Sequence, residues 1–106
     1  METLIVLTNL PDRESAEQLA RRLVERRVAA CVNVLAECGS IYRWEGKLEN
    51  AREVPMLIKT TSARYAEVER EIKAAHPYEL PEIVAVPVAA GLQRYLDWVE
   101  AESCAG

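Results

Sequence analysis

The stretch from Val28 to Thr61 constrains this chain more than any other part of it. Val28 to Leu35 is strand-like, Gly39 marks a bulge or bend, and Ile41 to Trp44 resumes the strand. Glu45-Gly46-Lys47 is a turn, and the chain returns through Val54 to Thr61. Pro55 cannot donate to a ladder, so it belongs at a sheet edge or a bulge. A strand from Val28 to Trp44 would extend roughly 50 Å at ~3.3 Å per residue. A compact domain of this length has a radius of gyration of only ~13 Å. The hairpin must therefore bend sharply back onto its own domain or project beyond it. Its tip carries Ile41, Tyr42 and Trp44, which are poor residues to leave in water. A projecting hairpin with that tip is best explained by pairing with another subunit.

The flanking segments supply the rest of the plan. Thr3 to Thr8 is short, β-branched and apolar, as a central strand should be. Asp12 is placed to cap a helix whose apolar stripe is Ala16, Leu19, Ala20, Leu23 and Val24. Its other face is charged and reads as solvated, with Glu17 and Arg21 in register to attract. Ser62 is the expected cap of a second helix bearing Tyr65, Val68, Ile72 and Ala75. Pro77 should stop that helix at His76. Residues 76–82 form a rigid loop, Ile83 to Val88 another strand. A third helix carries Leu92, Tyr95, Leu96 and Val99, and the tail from Glu102 to Gly106 should fray. The order is β-α-β-β-α-β plus a C-terminal helix. That is an α+β, ferredoxin-like sandwich with a long central hairpin, in one domain spanning residues 1–106.

Composition narrows the function classes. Net charge is −4 and half of the 106 residues are hydrophobic, which argues against a nucleic-acid partner. No apolar run approaches the ~20 residues needed to span a bilayer. The N-terminal residues lack a signal-peptide pattern, so the expected compartment is the cytoplasm. Three cysteines without a Cys-x-x-Cys offer neither a disulfide framework nor a zinc ribbon. The ferredoxin-like plan hosts many activities, and several fail on residues. An RNA-recognition module would need a basic, aromatic central strand pair, and this chain has no Phe. The loop Thr8-Asn9-Leu10-Pro11-Asp12 has neither the cysteines of a copper chaperone nor the Gly/Arg cradle of an acylphosphatase. No phosphate loop or nucleophile elbow is present. The expectation is a protein that is not an enzyme.

A few residues remain as candidates. His76, the only histidine, is most simply a helix-end cap, or else a metal ligand or a proton-switching group. Glu79 and Glu82 are solvated loop carboxylates, or its partners. Cys31 reads first as a small buried hydrophobe, second as a soft metal ligand. A Cys31–His76 nucleophile pair comes last, having no third group to orient it. Tyr42, Trp44 and Lys59 lie on the hairpin. They pack an interface with charges snorkelling outward, or line an interfacial cleft together with Tyr78.

Five motifs in order resemble signatures of the CutA divalent-cation-tolerance family. They are Ala29-Ala30-Cys31-Val32-Asn33, Tyr42-Arg43-Trp44-Glu45-Gly46-Lys47, Leu57-Ile58-Lys59-Thr60-Thr61, residues 76–82, and Tyr95-Leu96-Asp97-Trp98. The resemblance runs from Leu4 to Val99. It implies a ferredoxin-like subunit in a homotrimer joined through the hairpin. It also implies binding of divalent metal, copper(II) above all, with no organic cofactor. Some members ligate copper with a cysteine late in the first strand and paired histidines before the Pro-Tyr motif. Those positions hold Thr8 and Ala75 here, and only His76 matches. A copied site would need Glu79, Glu82 or a neighbouring subunit to complete it. The rival expectation is a small-ligand sensor using the interfacial cleft, with metal incidental.

Overall fold

The computed structural model describes residues 2–104. Its strands are β1 (Thr3–Leu10), β2 (Cys31–Val34), β3 (Cys38–Trp44), β4 (Lys47–Thr61) and β5 (Ile83–Pro87). Its helices are α1 (Arg13–Glu25), α2 (Tyr65–Ala75) and α3 (Gln93–Glu102). The sheet order is β2-β4-β1-β5, with β3 pairing β4 further along the same edge as β2. Every paired neighbour is antiparallel. β1 and β2 thus run parallel with β4 between them, and β4 and β5 run parallel with β1 between them. This is the split βαβ arrangement, twice over.

Period-two alternation decides which face is covered. Val6, Thr8 and Leu10 of β1, and Val54, Met56, Ile58 and Thr60 of β4, are buried. They meet Ala16, Leu19 and Leu23 of α1 and Val68 and Ile72 of α2 in one cluster. Burying a side chain such as Met56 or Ile58 contributes ~1.5–3 kcal/mol. Asp12 caps α1 as its sequence suggests, accepting from the Ser15 N–H at 2.7 Å. Arg22 and Arg26, both still solvent-exposed, reach across to Glu71 of α2. It is Arg13, not Arg21, that pairs with Glu17, at 3.3 Å.

The end of α1 shortens the expected second strand. Arg27 adopts φ 59°, its N–H bonds Val24 O, and the Val28 N–H bonds Leu23 O. This is a Schellman closure with Leu23 and Val28 both buried. Val28 and Ala29 spend their N–H groups on that turn and Ala30 gives its own to Lys59 O, so β2 starts at Cys31. Ser62 caps nothing with its side chain. A short 3-10 turn, Ser62–Arg64, leads straight into α2 and organises its first turn without a cap. At the other end α2 stops at His76, as the following proline demands.

Gly39 is not a bulge, since it sits in regular register opposite Arg52. The irregularity comes earlier. Val34 faces Met56 while Cys38 faces Glu53, so residues 35–37 stand against Val54 and Pro55 alone. Pro55 lies within β4, opposite Asn9, and its missing donor falls at this break. Beyond it the β3–β4 hairpin continues to a two-residue turn at Glu45 and Gly46, both with positive φ. The hairpin projects, and the molecule measures 44 × 26 × 23 Å.

The second sheet face is largely open. Val84 and Val86 of β5 are exposed, in register with Leu7 and Ile5 of β1. α3 packs against β4 and β1, but of its expected stripe only Val99 is fully buried, while Leu92 and Tyr95 stay exposed. The tail is better ordered than its sequence suggests. Ser103 is buried and its hydroxyl bonds Val99 O. Ala105 and Gly106 lie outside the described residues.

Candidate functional site: a cleft between the hairpin and the 76–82 loop

Asn9, the penultimate residue of β1, organises the site. Its carbonyl oxygen lies 2.5 Å from His76 Nε2, and its side-chain amide donates to Glu82 Oε1 at 2.8 Å. His76 Nδ1 accepts the Tyr78 N–H at 3.1 Å. A backbone N–H needs a lone pair and a carbonyl needs a proton. The imidazole is therefore the neutral Nε2–H tautomer, with its lone pair on the nitrogen facing the loop. The ring also packs on Tyr78, centroids 4.5 Å apart. His76 is thus a buried staple between β1 and the loop.

In front of this staple lies a cleft of about 760 Å³. Tyr42, Arg43, Trp44 and Glu45 line it from the hairpin, Glu53 from β4, and Tyr78, Glu79 and Glu82 from the loop. Four carboxylates thus face one guanidinium. Glu53 is 8% exposed, and no hydrogen bond or ion pair reaches its carboxylate among the described residues. Burial pushes the Tyr78 phenol above its usual value, and the nearby Glu53 and Tyr42 push it further the same way.

The structure brings Tyr42, Trp44, Tyr78, Glu79 and Glu82 to one cleft, with His76 behind its wall. Lys59 and Cys31 are elsewhere. They face each other across β4 and β2 on the open sheet face. Lys59 donates to Asn33, and Cys31 is half-buried beside Tyr95. Burial first, and then Cys31, raise the Tyr95 pKa. Thr8 points into the helix-covered core, 2% exposed. Among the described residues no group of three His, Cys, Asp or Glu is close enough to hold a metal. His76, Glu79 and Glu82 therefore do not form a ready-made three-ligand cage. Asn9 and Glu53 escaped the sequence reading. Asn9 looked like a strand breaker, though it extends β1, and Glu53 precedes the apolar alternation whose open-face phase it shares.

The family model described as CutA1 divalent ion tolerance protein matches residues 4–102. The divalent-cation tolerance protein CutA of Thermus thermophilus is 45% identical over 95 residues, 90% of this chain and 92% of that protein. The CutA crystal structure from Xylella fastidiosa superposes with a TM-score of 0.94 at 40% identity, covering 98% of this chain and 100% of that one. A structure described as the periplasmic divalent cation tolerance protein CutA of Archaeoglobus fulgidus gives 0.91 at 42% identity, covering 95% and 98%. By match to the family model over nearly its whole length, this chain belongs to the CutA1 divalent ion tolerance protein family.

Proposed function

We propose that this protein is a homotrimer that supports divalent-cation tolerance by binding a divalent cation, copper(II) first, without catalysis or an organic cofactor. Relatives named for divalent-cation tolerance support the general role. The observation that carries the binding reading is the fixed tautomer of His76. Its Nε2–H is held by a backbone carbonyl, the outer-shell support that metal-binding histidines commonly have. Its lone pair, on Nδ1, is engaged only by the Tyr78 N–H. A cation would exchange that one bond for the imidazole, with Glu79 and Glu82 of the same loop as oxygen donors. The remaining positions go to water or a neighbouring subunit. An imidazole among oxygens suits copper(II) better than harder ions.

The trimer reading rests on apolar surface with no partner in one chain. Ile41 and Leu48 on the hairpin are 72% and 74% exposed, and Val84, Val86, Leu92 and Trp98 are also exposed. Three free cysteines fit a reducing compartment such as the cytoplasm. No helix among the described residues is long and apolar enough to cross a membrane. A calorimetric copper titration of the wild type beside Glu79→Gln/Glu82→Gln tests the cation reading. Saturable binding, weakened in the double variant, is expected; binding that the double variant leaves unchanged removes these carboxylates. The second reading is a small-ligand site in the cleft, with metal incidental. It is favoured by the three aromatic rings of Tyr42, Trp44 and Tyr78 along its walls.

A further inference from the structure

Metal chemistry does not explain the inner part of the cleft. Tyr42, Trp44 and Tyr78 are poor donors for a divalent metal, yet all three rings face this space, each a little over one-third exposed. Glu53 lies among them, more than nine-tenths buried, with no hydrogen bond or ion pair to its carboxylate among the described residues. Among the described residues the fully buried side-chain oxygens and nitrogens without a partner are those of Thr8 and Arg64, so the Glu53 carboxylate keeps contact with the water of the cleft, where a cation can reach it. An anionic ligand is opposed by Glu45, Glu53, Glu79 and Glu82. For a metal ion the three rings add no strong donor beside Glu53, so the inner part does not duplicate the loop site. Aromatic side chains around one unpaired carboxylate that opens onto the cleft match a different cation, one whose charge is spread over an alkylated nitrogen.

We propose that this cleft binds an organic ammonium cation. The ammonium group sits against the faces of Trp44, Tyr42 and Tyr78, and Glu53 neutralises it. The cleft volume, about 760 Å³, falls in the range of small-molecule sites and leaves room for substituents beyond the charged group. The phenol of Tyr78, pushed up by burial and by Glu53, stays protonated and uncharged at neutral pH. This inference rests on reading the cleft as a small-molecule site and is independent of copper.

The test is a calorimetric titration of the intact protein in EDTA with tetramethylammonium chloride, against sodium chloride at matched ionic strength. tert-Butyl alcohol serves as the neutral counterpart of the same shape. Saturable binding of tetramethylammonium is expected, with none for the alcohol. Glu53→Gln and Trp44→Leu should each weaken it roughly tenfold. Trp44 stands at the hairpin turn, far from the helix-covered core, so its variant decides if Glu53→Gln disturbs folding. No saturable binding of tetramethylammonium overturns the proposal. Equal binding of the alcohol also overturns it, while leaving an uncharged small-molecule site in place. Wild-type affinity in Trp44→Leu overturns it as well. A failed copper titration leaves it untouched.

Discussion

His76 joins the end of β1 to the loop before β5, its Nε2 lying 2.5 Å from the carbonyl oxygen of Asn9. With Nδ1 accepting from Tyr78, a single buried side chain holds both walls of that junction. Replacing His76 with Ala leaves the Asn9 carbonyl and the Tyr78 N–H without their partner. The expected loss of stability is about 1–3 kcal/mol, read from urea unfolding midpoints. An unchanged midpoint would mean that the staple carries no weight.

Arg27 holds a conformation that usually selects glycine, φ 59°. Its guanidinium donates to Ala101 O at 2.8 Å and to Cys104 O at 3.4 Å, closing the end of α3. Arg27→Ala keeps the backbone strain and loses the tether. Arg27→Gly loses the tether but relieves about 1 kcal/mol of strain. The glycine variant should therefore unfold at higher denaturant than the alanine variant, with both below wild type. Equal midpoints for the two variants would remove the strain from the account.

The projecting hairpin predicts an assembly-breaking pair of variants. Ile41 and Leu48 are exposed in one chain and lie near each other across the β3–β4 ladder, where Ile41 faces Asn50 and Arg43 faces Leu48. Light scattering should give a trimer for wild type. Ile41→Glu/Leu48→Glu should shift it toward monomer, with far-ultraviolet dichroism preserved. A monomeric wild type would instead make the exposed tip a feature of the free chain.

Tyr78 ionisation works against the fold at alkaline pH. Tyr78 is raised above its ordinary value of 10.0 by burial, then by Glu53 and Tyr42. Its folded state thus holds the proton more tightly than its unfolded state. The resulting stability is fully present below pH 10 and is lost as pH rises through the folded value. Between pH 9 and 12 the unfolding midpoint should fall, and Tyr78→Phe should fall less steeply. Parallel curves would exclude Tyr78 as a contributor.

Much of the architecture was legible because its signals are local. Asp12 caps what it should, and Pro77 ends α2 at His76. Where the reading slipped, a non-local term decided. Val28 and Ala29 look like strand, but the closure of α1 uses their N–H groups. Gly39 looks like a bulge, but the extra residue lies opposite Pro55, and register cannot be seen in one strand alone. The site was half legible. His76, Glu79 and Glu82 stand within a few residues of one another, so their grouping needs no fold. Asn9 reaches them only through the sheet, 73 residues away from Glu82 along the chain. Lys59 shares a hairpin with Tyr42 and Trp44 but not their cleft. It lies on the half of β4 that pairs β2, and they lie on β3.

The central claim is that His76 offers its Nδ1 lone pair to a divalent cation beside the loop carboxylates. Electron paramagnetic resonance of the protein with one equivalent of copper(II) tests this most directly. Coupling to one imidazole nitrogen, absent in His76→Ala, is the predicted result. An all-oxygen spectrum, or a nitrogen signal unchanged in His76→Ala, would contradict the account.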